Sequence, residues 1–341
     1  MIFLTGYLRS GTTFIQKYLN CSGIKIDYQR LQHQLIEIKR QFQKKYDIEN
    51  KSYEFNDLIG ENWYDPNLFL DFLNDYFSTK GIYERNLGED LRMELSAHLP
   101  SSDSHINVAQ IPKGFGTKEV FAEEFIPFFL SCQCLCVITI RNPIAVVNSI
   151  RADVPAKYVR SDISLLHIIR SWRKSVAFII QHLSHPTFRW VRFEDFLADP
   201  AGRAREVLYG TKFEALFKAC QGQLIDEDGT PWNGNSSFGS PENQRLVIEK
   251  DVVDIITFLC EREMIWANYI SRDMPVITES RAIKIMISLG FRGSDIETEL
   301  RRRSCLEDRK DTIIKDNVMS DFIFMNVFST MQSIGNVEAS E

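Results

Sequence analysis

Two apolar rhythms run along this chain. Near-continuous runs at Ile2-Phe3-Leu4 and at LCVITI (135–140) have the pattern of strands covered on both faces of a parallel sheet. Helical spacing recurs at 12–21, from Tyr28 to Lys45 (Leu31, Leu35, Ile38, Phe42), at 68–77, from Phe125 to Leu130, at 162–184, at 201–219 and at about 246–270. GIYERN (81–86) predicts a short strand, and 87–105 a helix with a polar Ser/Asp/His loop. GFGTKEVF (114–121) predicts a Gly-punctuated entry into the core, and 188–200 a strand running into a loop stopped by Pro200. Residues 222–243 are too polar to be core, and helical periodicity resumes after Pro275, with a solvated Arg301–Arg303 run.

Strands alternating with helices predict an α/β protein: three-layer α/β/α with a mainly parallel central sheet. The expected organisation is one domain over 1–274, with a helical C-terminal extension over 275–341, within or beside the same domain. No internal repeat is visible.

Composition adjusts this picture. With 341 residues, 44% of them apolar and 25% charged, a sizeable core is within reach. A net charge of −6 argues against a nucleic-acid binder and against a long polyanionic substrate, both of which need a broad basic surface. No apolar run approaches the ~20 residues that span a bilayer. A strand expected at residue 2 leaves no room for a leader, so a cytoplasmic location and no membrane partner are expected. The seven cysteines show no framework; Cys132, Cys134 and Cys136 lack metal-ligand spacing. Reduced thiols and no metal are therefore expected. The aromatics of 46–80, Tyr53, Phe55, Trp63, Tyr64, Phe69, Phe72, Tyr76 and Phe77 among them, serve a core helix or line a pocket.

The chemistry starts in the first thirteen residues, MIFLTGYLRSGTT. A buried strand, a Gly-bounded loop and a helix N-terminus bring unpaired N–H groups to one point, an anion cradle. Gly6-x4-Gly11 has Walker A spacing, but Thr12-Thr13 stands where Lys-Ser/Thr is usual. Losing that lysine argues against ATP or GTP hydrolysis while leaving a phosphate site, and Arg9 supplies positive charge inside the loop. An ordinary βα turn with a chance Gly pair is the plainer alternative. A second anion site follows the buried strand at 135–140. Arg141 ends that strand, Pro143 suits a first helical turn, and Ser149 lies about two turns on. A guanidinium at a strand's C-terminal end with a nearby hydroxyl suits a phosphate monoester.

Taken together, these residues resemble the PAPS-dependent sulfotransferases, bacterial type. Arg9-Ser10-Gly11-Thr12-Thr13 is similar to that family's 5′-phosphosulfate loop, and Arg141-Asn142-Pro143 through Ser149 to its 3′-phosphate motif. Lys118-Glu119-Val120 stands ahead of the Arg141 strand, as in the family. Val191-Arg192-Phe193-Glu194-Asp195 resembles a family strand end, with Phe for Tyr, and Trp232-Asn233-Gly234-Asn235-Ser236-Ser237 resembles a late phosphate-contacting loop. The matches are scattered over 1–270, and their common order is more specific than any one of them. The resemblance implies a P-loop NTPase-like sulfotransferase fold. It also implies 3′-phosphoadenosine-5′-phosphosulfate (PAPS) as donor, PAP as product, no metal, and a small-molecule acceptor sulfated on O or N.

The same resemblance implies roles. Arg9, Ser10, Gly11, Thr12, Thr13, Arg141, Ser149, Trp232, Asn235 and Ser236 bind the nucleotide. Arg9, standing where many members have Lys, and Lys118 supply charge at the reacting centre. Glu119 is the first choice of general base, Glu84 the second, with His98 and His105 behind. A surface ion pair at a helix start is the competing reading of Lys118-Glu119. Glu194-Asp195 is expected to be structural, and Trp172-Arg173 to border an acceptor pocket or pack in the core. A carbohydrate or glycolipid acceptor stays open, as do a P-loop kinase or NTPase and a non-catalytic nucleotide-binding protein.

Overall fold

A computed structural model describes residues 1–45, 69, 71–73, 75–76, 115–152, 164–226, 229–232, 234 and 248–304. The chain divides into two compact units, Met1–Ile59 with Pro66–Arg141 and His182–Asn235, and Gly60–Asp65 with Asn142–Gln181 and Ser236–Glu341.

In the first unit, β1 (Ile2–Gly6) leads into α1 (Thr12–Cys21), then β2 (Ile26–Tyr28) and α2 (Gln32–Lys45). After β3 (Gly116–Lys118) and α3 (Ile126–Ser131) comes β4 (Leu135–Ile140). In the second unit, α4 (Pro143–Ala152) is followed by α5 (Leu165–His182). Back in the first unit are β5 (Phe188–Arg192), α6 (Phe193–Ala198) and α7 (Pro200–Leu208). The second unit ends in α8 (Lys250–Trp266), α9 (Glu279–Ser288) and α10 (Gly293–Ser304).

Among the described residues the strands form one five-stranded, wholly parallel sheet in the order β2-β3-β1-β4-β5. β1 is central and fully buried, which is why its apolar run is unbroken. Its side chains alternate between two cores. Ile2 and Leu4 join Ile15 and Leu19 of α1, Phe196 of α6 and Val207 of α7 on one face. Phe3 stacks on Phe129 of α3, centroids 4.0 Å apart, on the other. Helices on both faces make this an α/β fold of the three-layer kind. Phe42 of α2 meets Phe69 and Phe72, and Phe69 meets Phe125. The described residues of the predicted 68–77 stripe (69, 71–73, 75–76) are helical, with Phe69, Phe72, Leu73 and Tyr76 buried in the core, while Phe77 lies outside the described residues. The predicted strand at 81–86, the helix and loop of 87–105, and Tyr53, Phe55, Trp63 and Tyr64 lie outside the described residues.

Three expectations change. The 188–200 segment is not a strand running into a loop: α6 follows β5 directly. Arg192 grips Asp195 of its first turn through Nε–Oδ2 at 2.8 Å and Nη2–Oδ1 at 2.6 Å, and this hydrogen bond holds the Asp195 carboxyl below its usual range. Pro200 is a start rather than a stop. Asp199 accepts from the Gly202 N–H at 2.9 Å and caps α7, with Pro200 at its first position. The helix predicted at 201–219 accordingly ends at Leu208, where turns and a 3-10 segment (Glu214–Leu216) take over. Third, Cys21 and Cys220 form a disulfide across 199 residues, Cα atoms 5.3 Å apart, against the expectation that all thiols are reduced. The two cysteines meet only because the chain returns to the end of α1, which linear spacing does not encode. Cys132, Cys134, Cys136 and Cys260 are free thiols.

In the second unit, α8 packs on α4 and α9, and α9 on α10. Its centre is ionic. Arg173 bonds Glu263 and Glu299, and Arg170 bonds Glu299 and Asp295. Trp172 and Arg173 are buried, which makes them core rather than pocket rim. Among the described residues no helix is long and apolar enough to cross a membrane.

Candidate functional site

From β1 the chain goes on to β2, toward one edge of the sheet, and from β4 to β5, at the other edge. The C-terminal ends of β1 and β4 therefore flank a topological switch point, the crevice where open α/β sheets bind ligands. The loop after β1 carries Arg9, and Arg141 follows β4.

Tyr7 to Gly11 form a compact turn in which the Ser10 N–H donates to the Tyr7 carbonyl at 3.1 Å. Arg9 has a φ of 62°, a left-handed conformation uncommon outside glycine and one that marks functional loops. Gly11 caps α1 in the left-handed region (φ 92°), without a side-chain cap and with no acid in the helix's first turn. A Cβ at Gly11 would lie 2.0 Å from the Phe193 ring, so only glycine lets the loop lie this close. The first bond into the helix runs from the Ile15 N–H to the Gly11 carbonyl at 3.2 Å. The N–H groups of residues 12–14 precede it and point outward from the positive helix end. Ser10 is buried, and its Oγ has no hydrogen-bond partner among the described residues.

Arg141 donates from Nη1 to the Arg9 carbonyl at 3.4 Å, and its guanidinium lies 5.1 Å from the Phe193 ring centroid. Burial pushes the Arg9 guanidinium below its ordinary pKa, the charge of Arg141 pushes it further, and Tyr28 partly offsets them. Two cations, a helix N-terminus and a buried hydroxyl thus meet at one loop. That arrangement favours an anion.

The other sequence candidates fall as follows. Lys118 ends β3 and is buried, its Nζ 3.8 Å from the Tyr28 ring centroid. Glu119 is also buried; its Oε1 accepts from the Leu31 N–H at 2.7 Å and from Thr117 Oγ1 at 2.5 Å. The pair is therefore no surface ion pair, and Glu119 anchors the entry to α2. Thr12 and Thr13 open α1. Trp232 packs on Phe14 of α1, centroids 6.0 Å apart. Ser149 lies buried on α4 of the second unit, a helix whose start is capped by Asn142 Oδ1 accepting from the Ile144 N–H at 3.0 Å. Glu84, His98, His105, Asn235 and Ser236 lie outside the described residues.

Sequence reasoning missed Tyr28 and Phe193 as site residues. Tyr28 ends a three-residue strand too short to show periodicity. Phe193 was legible only as a strand end, and its role as the floor beneath Gly11 and Arg141 is a matter of packing. A cavity of about 440 Å³ flanks β5, but its arginines are engaged by the chain itself. Arg192 holds Asp195, Arg203 holds Glu206, and Arg189 donates to the carbonyls of Pro186, Phe188 and Tyr209. Comparison with protein-family models and with curated proteins found no match.

Proposed function

We propose that this chain is a PAPS-dependent sulfotransferase of P-loop NTPase-like fold, acting on a small-molecule hydroxyl or amine. The observation that carries the reading is the meeting of Arg9 and Arg141 at the β1/β4 switch point, over a helix N-terminus without a side-chain cap. The chain sets the Arg141 guanidinium against the backbone of the loop that carries Arg9, near enough for its charge to act on the Arg9 guanidinium, and a ligand with more than one anionic group engages both. The lysine that grips β- and γ-phosphates in a Walker A loop is replaced by Thr12, which favours this donor over ATP.

The donor supplies an activated sulfuryl group and a phosphate leaving group. The protein supplies position and fixed charge. Backbone N–H groups of Ser10 to Thr13 hold the 5′-phosphate, with the Thr12 and Thr13 hydroxyls assisting, and Arg9 offsets charge on the leaving group without giving up a proton. Arg141, with Ser149, is assigned to the 3′-phosphate. Lys118 is assigned to the bridging oxygen. Glu119 is assigned the acceptor's proton; since Oε1 already accepts two hydrogen bonds, Oε2 is the oxygen that takes it. Glu84 is the alternative base, and Trp232, with Asn235 and Ser236, is assigned to cover the nucleotide.

Calorimetric titration with adenosine 3′,5′-bisphosphate, with and without magnesium, tests the reading. Binding that needs no metal is expected, weakened at least tenfold, a loss of about 1.4 kcal/mol, by Arg9→Ala or Arg141→Ala. Glu119→Gln should keep that binding and lose sulfuryl transfer to an acceptor panel. Preference for magnesium-ATP, or indifference to both arginine changes, overturns it.

A further inference from the structure

The disulfide and the contacts beyond it describe a strap laid along α1. Cys220 is bonded to Cys21 at the last position of that helix, and the Lys218 N–H donates to the Ser22 carbonyl at 3.0 Å. Farther on, residues 224–226 and 230–232 pair with one another. The Trp232 N–H donates to the Leu224 carbonyl at 2.8 Å, the Asp226 N–H to the Thr230 carbonyl at 2.8 Å, and Ile225 bridges Pro231. Midway along α1, buried Lys17 meets Asp226 at 2.7 Å. At its first turn, Trp232 lies against Phe14. The strap thus runs the length of α1, from the disulfide at one end to the anion loop at the other.

These attachments differ in kind. Asp226 is 42% exposed, and an ion pair with a partner that exposed holds weakly. Phe14 and Trp232 meet as tilted rings, without a bond between them. Phe217, Cys220 and Leu224 rest only partly buried against the core. The disulfide is the covalent attachment among them, and both of its cysteines are partly exposed to solvent.

We propose that Cys21–Cys220 is a reversible redox site that sets the affinity of the anion loop, with a small or protein dithiol as co-reactant. One thiolate of the dithiol attacks a disulfide sulfur and expels the other cysteine as thiolate. The second thiol then resolves the mixed disulfide, so the dithiol is oxidised by two electrons and Cys21 and Cys220 become free thiols. Without the bond, the strap is held by non-covalent contacts, among them the Lys218–Ser22 hydrogen bond, the Lys17–Asp226 pair, the packing of Phe217 and Leu224 and the Trp232 ring, and part of its ordering falls to the ligand. Affinity drops by that ordering cost. The nucleotide half of this inference rests on the proposed function; the strap half rests on the contacts alone.

The test compares the oxidised chain, the chain reduced with dithiothreitol, and the Cys21→Ser/Cys220→Ser variant. Hydrogen exchange of the 217–232 backbone reads the strap, and titration with adenosine 3′,5′-bisphosphate reads the site. Expected are faster exchange over 217–232 in both bond-free forms, and affinity lower by roughly fivefold or more. Reoxidation should restore both in the wild-type chain and neither in the variant. Unchanged exchange overturns the proposal whatever the nucleotide does. Faster exchange with unchanged affinity overturns the coupling to the site. If the oxidised chain fails to bind the nucleotide at all, the proposed donor is wrong, while the exchange result still decides the redox strap.

Discussion

Two arginine clusters, one in each unit, are built in opposite ways. In the helical unit, burial pushes the Arg173 guanidinium down, and Glu263 and Glu299 more than reverse it, so the charge is held firmly. Glu299, fully buried, is shared by Arg170 and Arg173. In the sheet unit, burial and the neighbouring charge of Arg141 both push Arg9 down. One cluster carries its counterions in the sequence, and its work is cohesion. The other sets like charges together beyond the ends of two neighbouring strands, where Arg141 pushes the Arg9 guanidinium down and Tyr28 offsets it only in part. Residue type alone would have scored the two alike.

Removing the shared carboxylate should have the largest effect. Glu299→Ala leaves two buried guanidiniums short of a counterion and is expected to cost about 3–5 kcal/mol, read from urea denaturation. A loss under about 1 kcal/mol would mean the cluster is not the cohesive element described.

Counted per pH unit, a smaller effect comes from two histidines of α5. His167 is held down to about 4 by burial and by the charges of Lys174 and Arg170, and His182 to about 4 by burial and by His185. Both stay neutral in the folded chain while the unfolded chain protonates near pH 6.5. Stability is therefore full above about pH 6.5 and falls as pH drops toward 4, by at most about 1.4 kcal/mol per pH unit for each histidine. The double change His167→Gln/His182→Gln should flatten that slope in denaturation midpoints taken from pH 7 to 5. An unchanged slope would show that neither ring is sequestered.

The smallest effect is the sharpest contrast with Glu299. Arg141→Met removes one of two repelling cations and is expected to leave the unliganded chain within about 0.5 kcal/mol of wild type, or slightly more stable. A loss of several kcal/mol in the same urea titration would put Arg141 among the cohesive arginines, and the distinction between the clusters would collapse.

Much of the sheet unit was legible because its signals are local. The run at 135–140 became β4 without adjustment, and Ile2-Phe3-Leu4 became the core of β1, since a strand covered on both faces must be apolar throughout. Gly6, Gly11, Arg9 between them and Arg141 after β4 could likewise be read in place. Where local signals were ambiguous the reading slipped. Asp199-Pro200 looked like a stop and is a cap followed by a first helical position, because the same pair serves both uses and only the Gly202 N–H decides between them.

The order of residues by itself determined that a Gly-bounded loop carrying Arg9 follows the first strand, that Arg141 ends a later one, and that both belong to an α/β sheet. Only the fold decided that β1 and β4 are neighbours, so that Arg141 reaches the Arg9 carbonyl. It alone decided that Phe193 lies under Gly11, that Glu119 is engaged by Leu31, and that Cys21 meets Cys220. The reason is range: propensity and capping act over a few residues, whereas these contacts join positions from tens to 199 residues apart, which come together only when the burial of the whole sheet offsets the entropy of closing the loops between them.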